Sequence, residues 1–287
     1  MLTYIESQEL TFRLFAFFSI FAVMGLAEWL FPKRLLTVSK AKRWLNNISL
    51  MILNTVVLRA IFPLAAAGFA LWCTNNSIGL FNLINAPLWL SVLVCIITLD
   101  GIIWLQHRLF HQIPLLWRLH AVHHADKDLD VTSGARFHPL EILLSMIIKI
   151  AAIALLGAPV VAVILFEVIL SGMALFNHSN VSIPPAIDRW LRVLVVTPDM
   201  HRVHHSIHRY ESDSNFGFNL AIWDKLFHTY RAQPDEGHYG MTIGIKAKRE
   251  DKHVVWLTGL LALPFRLFSP SRSDNSDQNE KSKKRLS

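Results

Sequence analysis

Apolar runs too long for a water-soluble core constrain this chain more than any other feature. They cover about Phe12 to Phe31, Ile48 to Cys73 and Leu88 to Leu105, each sufficient for a helix across a ~30 Å hydrocarbon layer. A fourth region, Ile142 to Phe176, exceeds one span and is broken by Gly157, Ala158 and Pro159, which predicts two shorter helices in a hairpin. The expected fold class is an all-α integral membrane protein, a transmembrane helix bundle under a helical cap. Composition agrees, with 53% hydrophobic and 17% charged residues against about a quarter charged in soluble proteins.

Residues 1–268 read as one membrane domain, with a polar cap over about residues 179–252, and 269–287 as a disordered tail of Ser, Asp, Asn and Lys. The stretch from Val254 to Phe268, interrupted by Pro264, is expected to lie in the interface rather than cross, and Ile187 to Val196 has the spacing of an interfacial helix. Glu6 and Glu9 stand where a signal peptide would be basic, so the first run is read as a retained anchor.

The loop from Pro32 to Arg43 holds Lys33, Arg34, Lys40, Lys42 and Arg43 without an acid, and the connection from Thr74 to Pro87 has no charge. Short cytoplasmic loops concentrate Lys and Arg, so everything after about Gln106 is expected on the cytoplasmic side, in the inner membrane if the source is bacterial. The net charge of +7 then reads as membrane sidedness and anionic headgroups, and no nucleic-acid partner is expected. Cys73 and Cys95 lie in apolar stretches and offer no thiolate site.

Fourteen histidines are the second anomaly. His107 and His111 follow the third span, then come His120, His123 and His124, and eighty residues later His201, His204 and His205. On a helix, positions i, i+3 and i+4 share a face, so each box is expected to aim its imidazoles at a common point. Imidazole suits Zn, Cu, Fe and Ni, and eight exceed what one ion uses, so two metal ions are implied. One such pair alone is more often a surface accident; two boxes of identical H-x-x-H-H form are not. A non-catalytic metal transporter or sensor is the reading from a different class, but transport ligands belong near the bilayer midplane and these boxes sit at span ends. A zinc hydrolase would want an acid within a box, as in H-E-x-x-H, and none has one.

With these residues in view, the chain resembles the fatty acid hydroxylase superfamily, which includes sterol desaturases, C4-methyl sterol oxidases and alkylglycerol monooxygenase. The likeness runs from roughly Ala27 to Ile245. It is carried by the boxes, by L-L-W-R-L-H-A-V-H-H-A-D from Leu115, D-V-T-S-G-A-R-F-H-P-L-E from Asp130 and N-H-S-N from Asn177. T-P-D-M-H-R-V-H-H-S from Thr197, D-S-N-F-G-F-N-L from Asp213 and W-D-K-L-F-H-T-Y from Trp223 complete it. The resemblance implies a di-iron monooxygenase acting with O2 on a membrane lipid, with the eight box histidines as ligands and His178 as a further one. It leaves open whether His138 binds metal or supports the site, and whether the outcome is hydroxylation, desaturation or ether cleavage. Zn in preparations would be a substitute, since it competes well for imidazole. His228 departs from the family, which usually has Gly there.

Metal-bound histidines pass their second N–H to a carboxylate, carbonyl or water. Asp100, seven residues before His107 on the same face, is proposed as such a partner, while Asn215 and Asp224 are expected to order the cap. Arg59, Lys149 and Glu167 are charges within apolar spans, costly unless paired, and Glu28 is a candidate partner for Arg59. His208, His238 and His253 read as solvated or locally hydrogen-bonded. No dinucleotide, flavin or haem motif is visible, so electrons are expected from a separate reductase with a ferredoxin or a b-type cytochrome.

Overall fold

The computed structural model describes residues 8–84 and 86–267, so the tail expected to be disordered lies outside the described residues. Among them the chain is helical, with three isolated β-bridges and no strand. Helix α1 spans Glu9–Leu30, α2 Lys40–Ile61, α3 Ala65–Asn75, α4 Leu80–Leu83, α5 Leu88–Gln112, α6 Pro114–His124, α7 Pro139–Leu156 and α8 Val160–Asn177. Five segments are long and apolar enough to cross a membrane: α1, the run Lys40–Leu83, α5, α7 and α8.

Two boundaries differ from expectation for local reasons. The run expected as one helix from Ile48 to Cys73 is two helices: Pro63 lacks an amide proton and disfavours the α conformation at Phe62, where α2 stops. The third span continues past Leu105 to Gln112, so His107 and His111 ride on the spanning helix itself. The long fourth apolar region breaks at the expected residues. Gly157 closes α7 in the left-handed conformation at φ +62°, and Pro159 precedes α8.

Two of the charges inside the spans, Lys149 and Glu167, pair with each other. Lys149 Nζ lies 2.7 Å and Arg13 Nη1 2.8 Å from the Glu167 carboxylate. Glu28 does not serve Arg59; it accepts the amides of Val131 and Asn180 at 2.6 and 2.8 Å. These bonds tie the end of α1 to the loop after α6 and to the chain after α8.

Beyond α8 come short helices only: α9 Pro185–Leu191, α10 Pro198–His204, α11 Arg209–Ser212, α12 Ile222–Leu226, α13 Gly237–Gly240, α14 Asp251–Val254 and α15 Leu257–Arg266. Helix α15 carries Pro264 and packs against α6 and α2 through Leu260 and Leu263. Four of the five basic residues in the Pro32–Arg43 loop have internal partners, Lys40 lying 3.7 Å from Glu28. Lys33 pairs with Asp199 at 2.8 Å, Arg34 reaches the carbonyls of His238 and Met241, and Arg43 is wholly buried between Asp126 and Asp130. A buried guanidinium with both acids in place is held firmly, whereas removing one partner would strand a charge. This network fixes the loop after α6.

Candidate metal centre

Nine histidines meet where the last turns of α5, the end of α6, the C-terminus of α8 and helix α10 converge. They form two groups: His107, His111, His120, His124 and His204, and His123, His178, His201 and His205, with the ligand atoms within each group no more than 4.8 Å apart. All nine are buried. The expectation that each box aims at one point needs correcting. The H-x-x-H-H boxes are divided between the groups, His120 and His124 from His123, and His201 and His205 from His204. Positions i and i+4 differ by about 40° around the helix, while i+3 falls about 60° to the other side. Each such box therefore serves both groups.

The tautomers follow from what holds each Nδ1. His107 Nδ1 lies 2.8 Å from the Phe216 carbonyl, His204 Nδ1 2.7 Å from Ser214, His178 Nδ1 2.9 Å from Ala174 and His123 Nδ1 3.2 Å from Arg136. His120 Nδ1 is 2.6 Å from Glu141 Oε1. A ring whose Nδ1 proton goes to an oxygen presents a lone pair at Nε2. Yet His107 and His120 bring these Nε2 atoms to 3.0 Å, as do His123 and His178. Two lone pairs at that distance have no proton to share, and the contact asks for a cation. Burial, with neighbouring imidazoles, holds His123, His124, His201, His204 and His205 far below the usual histidine value. His178 is pushed down to about 4 and His120 to about 3 by burial. The neutral form is the one that binds metal, and the donor set fits two first-row ions such as iron or zinc.

The residues expected to support the centre do so at one remove. Asp224 accepts the amides of Phe216 and Gly217 at 2.8 and 2.7 Å, together with Trp104 Nε1 and the Thr229 hydroxyl. Asn215, at φ +52°, bonds the Met200 and Arg231 carbonyls and the Arg231 amide. Between them they fix the 214–217 loop whose carbonyls hold His204 and His107. Asp100 is placed on Trp223 Nε1 and the Leu220 amide, at 2.8 and 3.2 Å, rather than on an imidazole. The long α5 helix turns it toward α12, not toward His107. His138 lies outside both groups; its ring accepts the Leu140 amide as the N-cap of α7.

The carboxylate that does meet an imidazole, Glu141, lies in the first turn of α7 and was not singled out by spacing. Its signal is an acid opening an apolar helix, the same oddity that marks Asp100 and Glu167. Asp213, 3.5 Å from His111 Nδ1, is a second acid at the centre. Gly134 is needed by close approach: a Cβ there would meet the Ala174 carbonyl at 2.5 Å and His178 Nδ1 at 3.2 Å. Of the remaining histidines, His238 is buried 3.7 Å from Asp199 rather than solvated, and His253 bonds Arg266.

A cavity of about 330 Å³ runs between α1, α2, α5, α7 and α8 and reaches His107, His120, Phe137 and Glu141. Most of its wall is apolar, including Phe17, Met51, Leu58, Phe110, Met146 and Leu170. His107 and His120 both belong to the group of five.

Residues 92–229 match the family model described as fatty acid hydroxylase. The chain is 32% identical over 148 residues to an ornithine lipid hydroxylase of Rhizobium tropici, covering 52% of this chain and 44% of that protein. It is 31% identical over 142 residues to alkylglycerol monooxygenase of Homo sapiens, covering 50% and 31%, and 24% identical over 143 residues to cholesterol 25-hydroxylase of Homo sapiens, covering 49% and 51%. The matches to the first two span less than half the length of those relatives. No solved structure matches the chain.

Proposed function

Because residues 92–229 match the fatty acid hydroxylase family model and the chain is similar to lipid hydroxylases and monooxygenases, we propose that it is a member of that superfamily, a multi-pass membrane oxidoreductase that hydroxylates a C–H bond of a membrane lipid, using two irons and O2. The observation that carries this reading is the pair of buried all-imidazole groups, one of which lines a mostly apolar cavity between the spans through His107 and His120. Two irons bound there would supply the redox chemistry that activates O2 for C–H cleavage.

The chain's own contribution is position and exclusion. Phe216, Ser214, Arg136 and Ala174 carbonyls and the Glu141 carboxylate fix five of the nine rings by their Nδ1 atoms, so the ligand atoms converge before any ion arrives. The cavity presents a lipid chain to the His107 and His120 edge and keeps bulk water from it. Placing the centre at span ends, with His107 and His111 in the last turns of α5 and His178 at the close of α8, favours oxidation over transport, whose sites lie at broken helices near the midplane. The basic Pro32–Arg43 loop supports a cytoplasmic position for the centre. Electrons would come from a separate reductase with a ferredoxin or a b-type cytochrome.

The test compares the lipids of cells with and without the protein by mass spectrometry. A gain of one oxygen in one lipid class is expected. A loss of two hydrogens would instead assign desaturation to the same centre, and an unchanged lipidome would overturn the reading.

A further inference from the structure

The cavity beside the centre is not lined as a slot for a bare hydrocarbon. Three of the residues that line it carry a buried side-chain oxygen with no hydrogen-bond partner: Asn54 Oδ1, Gln106 Oε1 and Glu141 Oε2. The orientation of Asn54 is fixed, since its Nδ2 donates to the Phe137 carbonyl at 2.8 Å and leaves Oδ1 as its remaining polar atom. Phe137 in turn stacks on His123, with ring centroids 4.5 Å apart, which sets this acceptor beside the centre. Gln106 Nε2 is engaged with Ser145 Oγ at 2.7 Å, and Glu141 Oε1 with His120. A buried acceptor without a donor is destabilising. Turning the Asn54 amide would set its oxygen against the Phe137 carbonyl, so Oδ1 is an acceptor that calls for an N–H or O–H group, which an alkyl chain does not have.

We propose that the cavity selects a lipid bearing a hydrogen-bond donor, a hydroxyl or an amide N–H, close to the carbon presented at His107 and His120, and that Asn54 is the residue that reads it. The donor faces Asn54 Oδ1. The hydrocarbon beyond it runs along the α7 stripe of Ile142 and Met146 toward Lys149. That residue is eight positions from Glu141, about 12 Å at helical rise. The inference rests on the reading that this cavity holds a lipid substrate.

Binding tests it without turnover. Full-length protein in detergent micelles, kept anaerobic and without a reductant, is titrated with hexadecanamide, hexadecanol and N,N-dimethylhexadecanamide, the last having no donor. The donor-bearing lipids are expected to bind about tenfold more tightly than the dimethyl amide, and the tighter of the two identifies the donor as amide or hydroxyl. Asn54→Leu is expected to bring all three within about twofold. Equal binding of the three by the unaltered protein overturns the proposal whether or not the variant folds. Retained preference without any lipid oxidation in cells would instead sink the oxygenase reading.

Discussion

The two imidazole groups share boxes yet are held differently. The group of five leans on carboxylates, Glu141 at His120 and Asp213 at His111, and its His107 and His120 edge opens to the cavity. In the group of four, His123 and His178 are held by the Arg136 and Ala174 carbonyls, and Gly134 backs the ring of His178. The difference teaches that two positions built from one repeated motif are not equivalent. The group of five is thus the one with acids against its rings and an edge on the cavity, whereas two rings of the group of four rest on backbone carbonyls.

Removing a ligand from each side is the most severe test. His204→Ala is expected to lower bound metal from about two ions to about one and abolish lipid oxidation, and His205→Ala to do the same through the other group. Metal analysis beside a lipid assay checks this; unchanged metal in both variants would remove the ligand assignment. Glu141→Gln keeps an oxygen beside His120 Nδ1 but cannot ionise when metal binds, and metal affinity at the group of five should fall about 10- to 100-fold while the second ion stays. Gly134→Ala is the mirror experiment, since its Cβ presses on Ala174 and His178 and should weaken the group of four alone. Competition with a chelator reads both, and identical losses from the two variants would erase the distinction.

Acid should act next. In the metal-free chain His120 and His178 titrate near 3 and 4, against 6.5 when exposed, so below 6.5 the unfolded chain binds more protons than the folded one. Their contribution is complete above about pH 6.5 and declines as the pH falls toward those values. The melting temperature of chelator-stripped protein is therefore expected to drop between about pH 7.5 and about pH 5.5, and less so with metal bound. A flat profile would contradict the burial of neutral rings.

The smallest effect concerns His228, exposed at φ +57° where the family usually has Gly. The resemblance flagged the position and the backbone explains it: a left-handed turn follows α12, and a Cβ is strained there. His228→Gly is expected to raise stability by up to about 1 kcal/mol without changing metal content. Loss of metal in that variant would give His228 a part in the centre.

The spans were legible because the lipid solvent demands long apolar runs, and a broken pattern at Gly157 and Pro159 could only be a turn. The histidines were legible because imidazoles at helical spacing in two like boxes are improbable without a ligand. Asp100 misled because helical periodicity tells which face a residue shares with His107, not which element stands opposite that face; Trp223 stands there. Glu141 was missed because it is 21 residues from His120 and on another helix, so no period links them.

What the sequence determined by itself was the inventory: apolar helices, nine candidate ligands and a bundle to hold them. Which imidazole joins which group, which acid sits behind a ring and which residues line the cavity were decided only by tertiary structure. The reason is physical. Periodicity fixes directions within one helix, whereas a metal centre and its pocket are built where four helices and a loop meet, and those meetings depend on packing and on the buried pairs, such as Arg43 with Asp126 and Asp130, that lock the loop in place.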